Sequence, residues 1–170
     1  KNELFHWILT LAIAVIIALC VNRFVLVNAE IPSGSMENTI MTGDRVFGNR
    51  LAYIFGEPKR FDIIIFRYPD DEKQLFIKRI IGLPGETVEI HDGQIFIDGS
   101  KTPLKDVTTK EFMQGSFGPY TVPDNCYFVM GDNRNNSKDS RYWEHTFVTD
   151  DEIVGKAFLR YWPLNKIKFL

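Results

Sequence analysis

Phe76-Ile77-Lys78-Arg79-Ile80-Ile81-Gly82-Leu83-Pro84-Gly85 is an apolar run that carries two adjacent cations and ends in a turn signal. The run is typical of a β-strand, whose side chains alternate between two faces. This alternation places Lys78 on the same face as Phe76 and Ile80. Arg79 falls on the opposite face, and a shifted register would exchange the two cations. A lysine on an apolar face is costly, so we expect burial to lower the pKa of Lys78.

Short strand-like runs flank this segment on both sides. Residues 62–67 form a continuous apolar run, which is typical of a buried strand. Residues 88–90 and 94–97 flank a His-Asp-Gly sequence, which predicts a β-hairpin. Further strands are predicted at residues 45–47, 126–130 and 153–162. Residues 99–124 have an irregular pattern, so the predicted fold class is mainly β with a small insertion or cap.

The N-terminal segment, residues 4–27, is mostly apolar. Twenty-four helical residues would reach about 36 Å, and the hydrocarbon core of a bilayer is about 30 Å thick. We therefore predict one transmembrane helix within a membrane anchor of residues 1–28. The alternative is a cleavable signal peptide that ends at Ala29. Against it, the apolar stretch is long for such a peptide, and cleavage there would leave Ser35 six residues from the new terminus.

Composition excludes several classes of protein. A chain of 170 residues suggests one domain, and its net charge of −2 gives no reason to expect nucleic-acid binding. Cys20 lies in the apolar segment and Cys126 in a predicted strand, so we expect no disulfide. The three histidines are scattered, which makes a structural zinc site improbable.

Two serines lie in Ile31-Pro32-Ser33-Gly34-Ser35-Met36, directly after the apolar segment. By itself this motif also fits a simple turn between the anchor and the first strand. In an extended chain, however, Ser33 and Ser35 point the same way. One can act as a nucleophile, while the other hydroxyl joins a backbone N–H in binding an oxyanion. A neutral Lys78 amine can take the serine proton, which is the Ser-Lys form of nucleophilic catalysis.

A third segment, Gly131-Asp132-Asn133-Arg134-Asn135-Asn136-Ser137-Lys138-Asp139-Ser140-Arg141, follows a predicted strand directly. Its polar residues also fit a solvated loop held by local side-chain bonds. A calcium loop is disfavoured, because Lys138 occupies the position at which an EF-hand needs glycine. So dense a polar stretch after a buried strand predicts a wall of an active site.

The three segments, in this order, resemble those of the bacterial type I signal peptidases. Residues 60–66 resemble a fourth segment of that family, and the resemblance spans essentially the whole chain, anchor included. Two departures are present: Asn38 stands where the family often has proline, and Phe61 stands where it has glycine.

The resemblance implies a role for each matching residue. Ser35 is implied as the nucleophile and Lys78 as the general base. Ser33 matches the side-chain oxyanion donor, and Ser137 matches the serine that orients the lysine amine. Structural support is implied for Asp139 and Arg141, and shallow substrate pockets are implied to be lined by Ile31, Met36, Ile40 and Ile77.

The resemblance also implies a fold, a location and an activity. The fold is a mainly antiparallel β catalytic core, residues 29–170, with a β insertion at about residues 90–124. The activity is removal of signal peptides from exported preproteins after small residues at positions −1 and −3, without cofactor or metal. The short, single-span Gram-positive-like form implies a cytoplasmic N-terminus and an extracytoplasmic catalytic domain, so the implied partners are signal peptides and the bilayer.

Two other function classes stay open. A self-cleaving repressor shares the Ser-Lys core, but it would carry a DNA-binding domain where this chain has an apolar segment. A non-catalytic, membrane-anchored β module would make Ser35 and Lys78 incidental.

Overall fold

The structure is a computed structural model that describes residues 2–54, 56–106 and 111–170, and it begins with one apolar helix. Helix α1 (Asn2–Cys20) continues into a π-helical turn (Val21–Val25). The span Glu3–Val25 has a mean hydropathy of 2.6, is unburied, and is long and apolar enough to cross a membrane. The helix is shorter than predicted, because the chain turns into a strand after Val25.

The strands, in chain order, are β1 (Leu26–Glu30), β2 (Arg45–Asn49), β3 (Ile63–Tyr68), β4 (Asp71–Gly82), β5 (Thr87–His91), β6 (Gln94–Ile97), β7 (Phe117–Thr121), β8 (Cys126–Met130), β9 (Val148–Thr149), β10 (Ile153–Trp162) and β11 (Lys168–Phe169). A large sheet has the order β1-β2-β10-β3-β4-β8-β9, with β11 added to β10. A small sheet has the order β6-β5-β7. Every strand pair is antiparallel, and the predicted mainly β fold class is confirmed.

Strand β1 explains why the helix was predicted too long. Its residues continue the apolar run without a break, and hydropathy alone does not mark where a helix ends. Pairing with β2 shows where the helix gives way to the strand, since Val27 lies opposite Gly48 and only 4% of Val27 is exposed. Val27 therefore belongs to the protein core rather than to the membrane segment.

The middle of the large sheet is formed by β3 and β4. Their register places Lys78 opposite Ile64 and Arg79 opposite Ile63. Directly opposed residues share a face, so the two cations lie on opposite faces, as the alternation predicts. The Lys78 face carries an aromatic and aliphatic cluster that includes Phe66, Ile80 and Trp143.

The small sheet contains one predicted element and one unexpected element. The β5–β6 hairpin is confirmed, with Val88 opposite Ile97. Strand β7 lies in the stretch predicted to be irregular, because Gly118 and Pro119 interrupt its pattern, and pairing with β5 forms the strand. Residues 107–110 of the predicted insertion lie outside the described residues. A shared core that includes Ile81 and Val88 joins the two sheets.

Candidate active site

The structure brings Ser35 and Lys78 into direct contact. Ser35 lies in a short 3-10 turn (Gly34–Met36) that follows β1, and Lys78 projects from β4. Lys78 Nζ donates to Ser35 Oγ at 2.7 Å and to the Ile77 carbonyl at 3.1 Å. Only 7% of Ser35 and 3% of Lys78 are exposed. This is the geometry needed for proton transfer between a serine hydroxyl and an amine.

Burial is the main influence on the Lys78 amine. Loss of hydration disfavours the charged form and lowers the pKa of Lys78 from 10.5 to about 8. The nearby carboxylates of Asp139 and Asp132 oppose this shift, because they favour the ammonium. The Phe76 ring centroid lies 5.3 Å from Nζ and helps to exclude water. A neutral amine is therefore accessible at mildly alkaline pH.

The polar loop after β8 holds the turn that carries Ser35. The Asn133 backbone N–H donates to the Ser35 carbonyl at 3.0 Å, and Asn133 Nδ2 donates to the Gly34 carbonyl at 3.0 Å. Gly131 permits this approach, since a Cβ there would lie 2.4 Å from the Ser35 carbonyl oxygen. Neither residue was among the predicted site residues. Their place in the polar loop after a buried strand was the available signal.

Ser33 lies beside the pair, as its spacing predicts. Its backbone is extended, and its Oγ lies 3.3 Å from Ser35 Oγ. A second hydroxyl thus stands next to the reacting oxygen, and its assignment as an oxyanion donor stays a prediction.

Ser137 is buried close to the pair, but the predicted orienting contact is not formed. Its Oγ has no hydrogen-bond partner among the described residues, and Lys78 Nζ instead bonds to Ser35 and Ile77. A Cβ on Gly131 would lie only 2.3 Å from Ser137 Oγ, so Ser137 packs against the segment that supports Ser35. Its role in orienting the lysine amine stays a prediction, and no hydrogen bond between Ser137 and Lys78 is present to support it.

Asp139 and Arg141 form a buried ion pair behind the site. Arg141 donates to both Asp139 carboxylate oxygens, at 2.8 and 2.9 Å. Asp139 also accepts from the Gly131 backbone N–H at 3.0 Å. Arg141 donates to the Arg134 carbonyl at 2.7 Å. The pair therefore braces the loop against the end of β8, and its supporting role remains the prediction made from the resemblance.

A second buried ion pair, which the sequence did not assign to the site, uses the other cation of β4. Arg79 donates to both carboxylate oxygens of Asp132, at 2.7 and 2.6 Å, and to the Phe61 carbonyl at 2.7 Å. Asp132 also accepts from the Thr39 hydroxyl. This network joins the segment after the Ser35 turn to β4, and Asp132 is one of the carboxylates that act on Lys78.

The two departures from the family pattern occupy unusual backbone conformations. Asn38 has φ of +91° and Phe61 has φ of +71°. Asparagine is among the side chains that tolerate this region, whereas a phenylalanine there is strained. Proline could not adopt the Asn38 conformation, because its ring fixes φ near −65°.

A cleft of about 520 Å³ contains Ser33, Ser35 and Lys78. Of the four predicted pocket residues, Ile31 and Ile77 line it, while Met36 and Ile40 are fully buried beneath it. The resemblance implied all four as pocket residues but did not distinguish the two that line the cleft. A larger hollow of about 940 Å³ lies elsewhere and includes none of the predicted site residues.

Comparison with known proteins identifies the family of the chain. The family model described as signal peptidase, peptidase S26 matches residues 4–162. Signal peptidase I of Leptolyngbya laminosa is 39% identical over 98% of this chain and 83% of its own length. Signal peptidase I of Bacillus licheniformis is 37% identical over 99% and 94%. A crystal structure of signal peptidase I from Enterococcus faecalis V583 is 37% identical, covers 59% of this chain and 96% of its own, and has a TM-score of 0.50.

These relatives bear out the resemblance read from the sequence, and they support signal-peptide cleavage by a serine endopeptidase. The chain belongs to the signal peptidase family, peptidase S26.

Proposed function

We propose that the chain removes signal peptides from exported preproteins, with Ser35 as nucleophile and neutral Lys78 as general base. The observation that carries this proposal is the 2.7 Å contact between the buried Lys78 Nζ and Ser35 Oγ. A solvated lysine would stay protonated at neutral pH, whereas this amine has lost most of its hydration. A serine beside such an amine is the arrangement that nucleophilic catalysis requires.

The reaction proceeds in two halves. Ser35 Oγ attacks the scissile carbonyl carbon as its proton passes to Lys78 Nζ, and the resulting ammonium protonates the departing amine of the mature protein. Water then attacks the acyl-enzyme, Lys78 again accepts a proton, and Ser35 recovers its hydroxyl as the signal peptide leaves. The Ser33 hydroxyl and the Ser35 backbone N–H stabilise the oxyanion of each tetrahedral intermediate.

The free edge of β1 is suited to bind an extended substrate. Ile31 exchanges backbone hydrogen bonds with the segment before β2, donating to Asp44 at 3.0 Å and accepting from Gly43 at 2.8 Å. By alternation, the backbone groups of Asn28 and Glu30 face away from β2. A peptide can pair with this edge as an added strand.

Apolar side chains in the cleft account for small residues at positions −1 and −3. These two substrate side chains point the same way in an extended peptide. They would meet Ile31, Ile65 and Ile77, which crowd the floor of the cleft. The proposal is that these branched side chains leave room for alanine and similar small residues at both positions.

The proposed location is the cell membrane, with the helix as a single-span anchor. Exported preproteins present their cleavage sites on the outer face, so the proposal puts the N-terminus in the cytoplasm and the catalytic domain outside. The unburied apolar span Glu3–Val25 supports the membrane anchor in this proposal.

The test is cleavage of a preprotein that carries an Ala-x-Ala site by the purified full chain in detergent. We expect one new N-terminus, directly after the second alanine. A preprotein left intact by folded protein would contradict the proposal and favour a non-catalytic module. Cutting of the chain itself, with no cutting of the preprotein, would favour the self-cleaving class.

A further inference from the structure

Lys138 projects from a fixed part of the polar loop into the active-site cleft. Its neighbours in the chain, Ser137 and Asp139, are 8% and 0% exposed, so the backbone is held on both sides of it. Lys138 itself is exposed and lines the cleft. Its position therefore follows from the buried structure around it rather than from a free loop.

An aromatic pair supports the Lys138 ammonium. Lys138 Nζ lies 5.7 Å from the Tyr68 ring centroid, a distance compatible with a cation–π contact. Tyr68 stacks on Phe76 with ring centroids 4.4 Å apart, and its hydroxyl donates to Asp70 at 2.7 Å. Since Phe76 also lies beside Lys78, the Lys138 ammonium lies close to the catalytic pair.

The charges in the cleft are unbalanced. Three charged residues line it: Glu30, Lys78 and Lys138. Glu30 already pairs with Arg45 at 3.2 Å, and Lys78 is the group that exchanges protons. Among the residues that the structure describes, no carboxylate forms an ion pair with Lys138. The cleft thus offers a positive charge that a substrate can complement.

The two faces of β4 limit the substrate positions whose side chains can lie near Lys138. Ile77 and Phe76 are neighbours in the strand, so their side chains point to opposite faces. Ile77 belongs to the apolar floor proposed for positions −1 and −3, and Lys138 stands by the Tyr68–Phe76 pair instead. An extended substrate turns its −2 side chain away from that floor, and its first residues after the cut pass beyond Ser35.

We propose that Lys138 is a specificity-determining residue that favours substrates with an acidic side chain at position −2, +1 or +2. This inference rests on the proposed function. Complementary charge at a partly solvated site gives modest discrimination, so we expect about a 3–10-fold preference for aspartate over lysine at the responsive position. The preference should weaken as salt increases, because screening acts on exposed pairs.

The test uses full-length protein and peptides with alanine at −1 and −3, in which position −2, +1 or +2 carries aspartate, asparagine or lysine in turn. The kcat/KM ratio of aspartate to lysine is measured for wild type, Lys138→Gln and Lys138→Glu. Lys101→Glu is the matched control, since it makes the same charge change at an exposed lysine outside the cleft.

We expect a ratio above one at one position or more in wild type, near one in Lys138→Gln, below one in Lys138→Glu, and unchanged in Lys101→Glu. Ratios in Lys138→Glu equal to those of wild type at all three positions would overturn the role of Lys138, while cleavage itself leaves the proposed function standing. Failure of wild type to cleave any peptide in the series would overturn both. Because each result is a ratio within one variant, a general loss of activity or folding does not imitate the effect.

Discussion

The Asn133 backbone N–H and the Ser35 carbonyl oxygen lie 3.0 Å apart, although the two residues are remote in the sequence. Asn133 adds a second bond, from its side chain to the Gly34 carbonyl. The turn that carries the nucleophile is therefore held from the opposite wall of the cleft, and this connection leads to the first prediction.

Asn133→Ala removes the side-chain bond and keeps the backbone bond. We expect kcat to fall by about tenfold, because small displacements of a nucleophile are costly, while KM changes by less than about twofold. Steady-state kinetics on an Ala-x-Ala peptide checks this. Asn135→Ala is the control, since Asn135 lies in the same loop but bonds to Gln114 and Phe112, and among the described residues it forms no hydrogen bond to the turn. Equal losses of kcat in both variants would mean that the loop acts only through stability.

The pH dependence of kcat/KM should follow the Lys78 amine. The neutral form is the active base and the pKa of Lys78 is about 8, so activity should rise through pH 8 and level off above it. Lys78→Arg should be inactive at every pH, because a guanidinium stays protonated. Ser35→Ala, which leaves the base in place, should also be inactive while retaining its fold by circular dichroism. A rate that follows an ionisation near 10 would show that Lys78 is solvated.

Lys78 should lower stability at neutral pH, and this effect has a definite sign. The pKa of Lys78 is lower in the folded protein than in the unfolded chain, so the unfolded chain binds more protons between about pH 8 and 10.5. The free energy of unfolding should therefore rise with pH across that window, and below it the full cost of the buried charge is present. This lowering of the Lys78 pKa corresponds to a cost on the order of 3 kcal/mol in the free energy of unfolding.

Lys78→Met keeps most of the length of the side chain and removes its charge. We expect the variant to be inactive yet more stable than wild type at pH 7, with the difference shrinking as the pH approaches 9.5. Urea unfolding of both proteins at each pH measures it, and taking the difference cancels the tyrosines that titrate in common. A variant that is less stable than wild type at pH 7 would contradict the argument.

Asn38 provides a backbone prediction. With φ at +91°, Asn38→Gly should be neutral or slightly stabilising, because glycine adopts this region without strain. Asn38→Pro, which restores the residue common in the family, should destabilise the protein by about 3 kcal/mol or distort the adjacent turn. Thermal unfolding of the two variants tests the pair, and a proline variant as stable as wild type would show that the loop adopts another conformation.

Local patterns predicted those parts of the fold that depend on neighbours in the chain. The face of Lys78, the strand around it and the hairpin after it follow from alternation and turn residues. Strand β1 was missed because its apolar residues continue those of the helix, and only pairing with β2 separates them. Strand β7 depends in the same way on β5.

The same distinction between local patterns and long-range contacts applies to the residues of the site. Motifs predicted that Ser35, Ser33 and Lys78 would be close together, since their chemistry is visible in the residues. The anchoring bonds of Asn133 and the ion pair of Asp132 join segments that are distant in the chain, so the polar loop could be predicted as a wall of the site but its bonding partners could not. The burial of Met36 and Ile40 beneath the cleft likewise depends on how the sheet closes over them.

The short strand β1 fixes the distance between the membrane helix and Ser35 in the proposed enzyme. Eight residues separate Val25, at the end of the helical segment, from the turn that carries Ser35, and the five of them that form β1 span about 17 Å. The cutting atom would then stand at a fixed height above the bilayer. A substrate running alongside β1 in the same direction must cover the same height from the end of its own apolar helix, so at least about five extended residues would be needed to bring its scissile bond to Ser35.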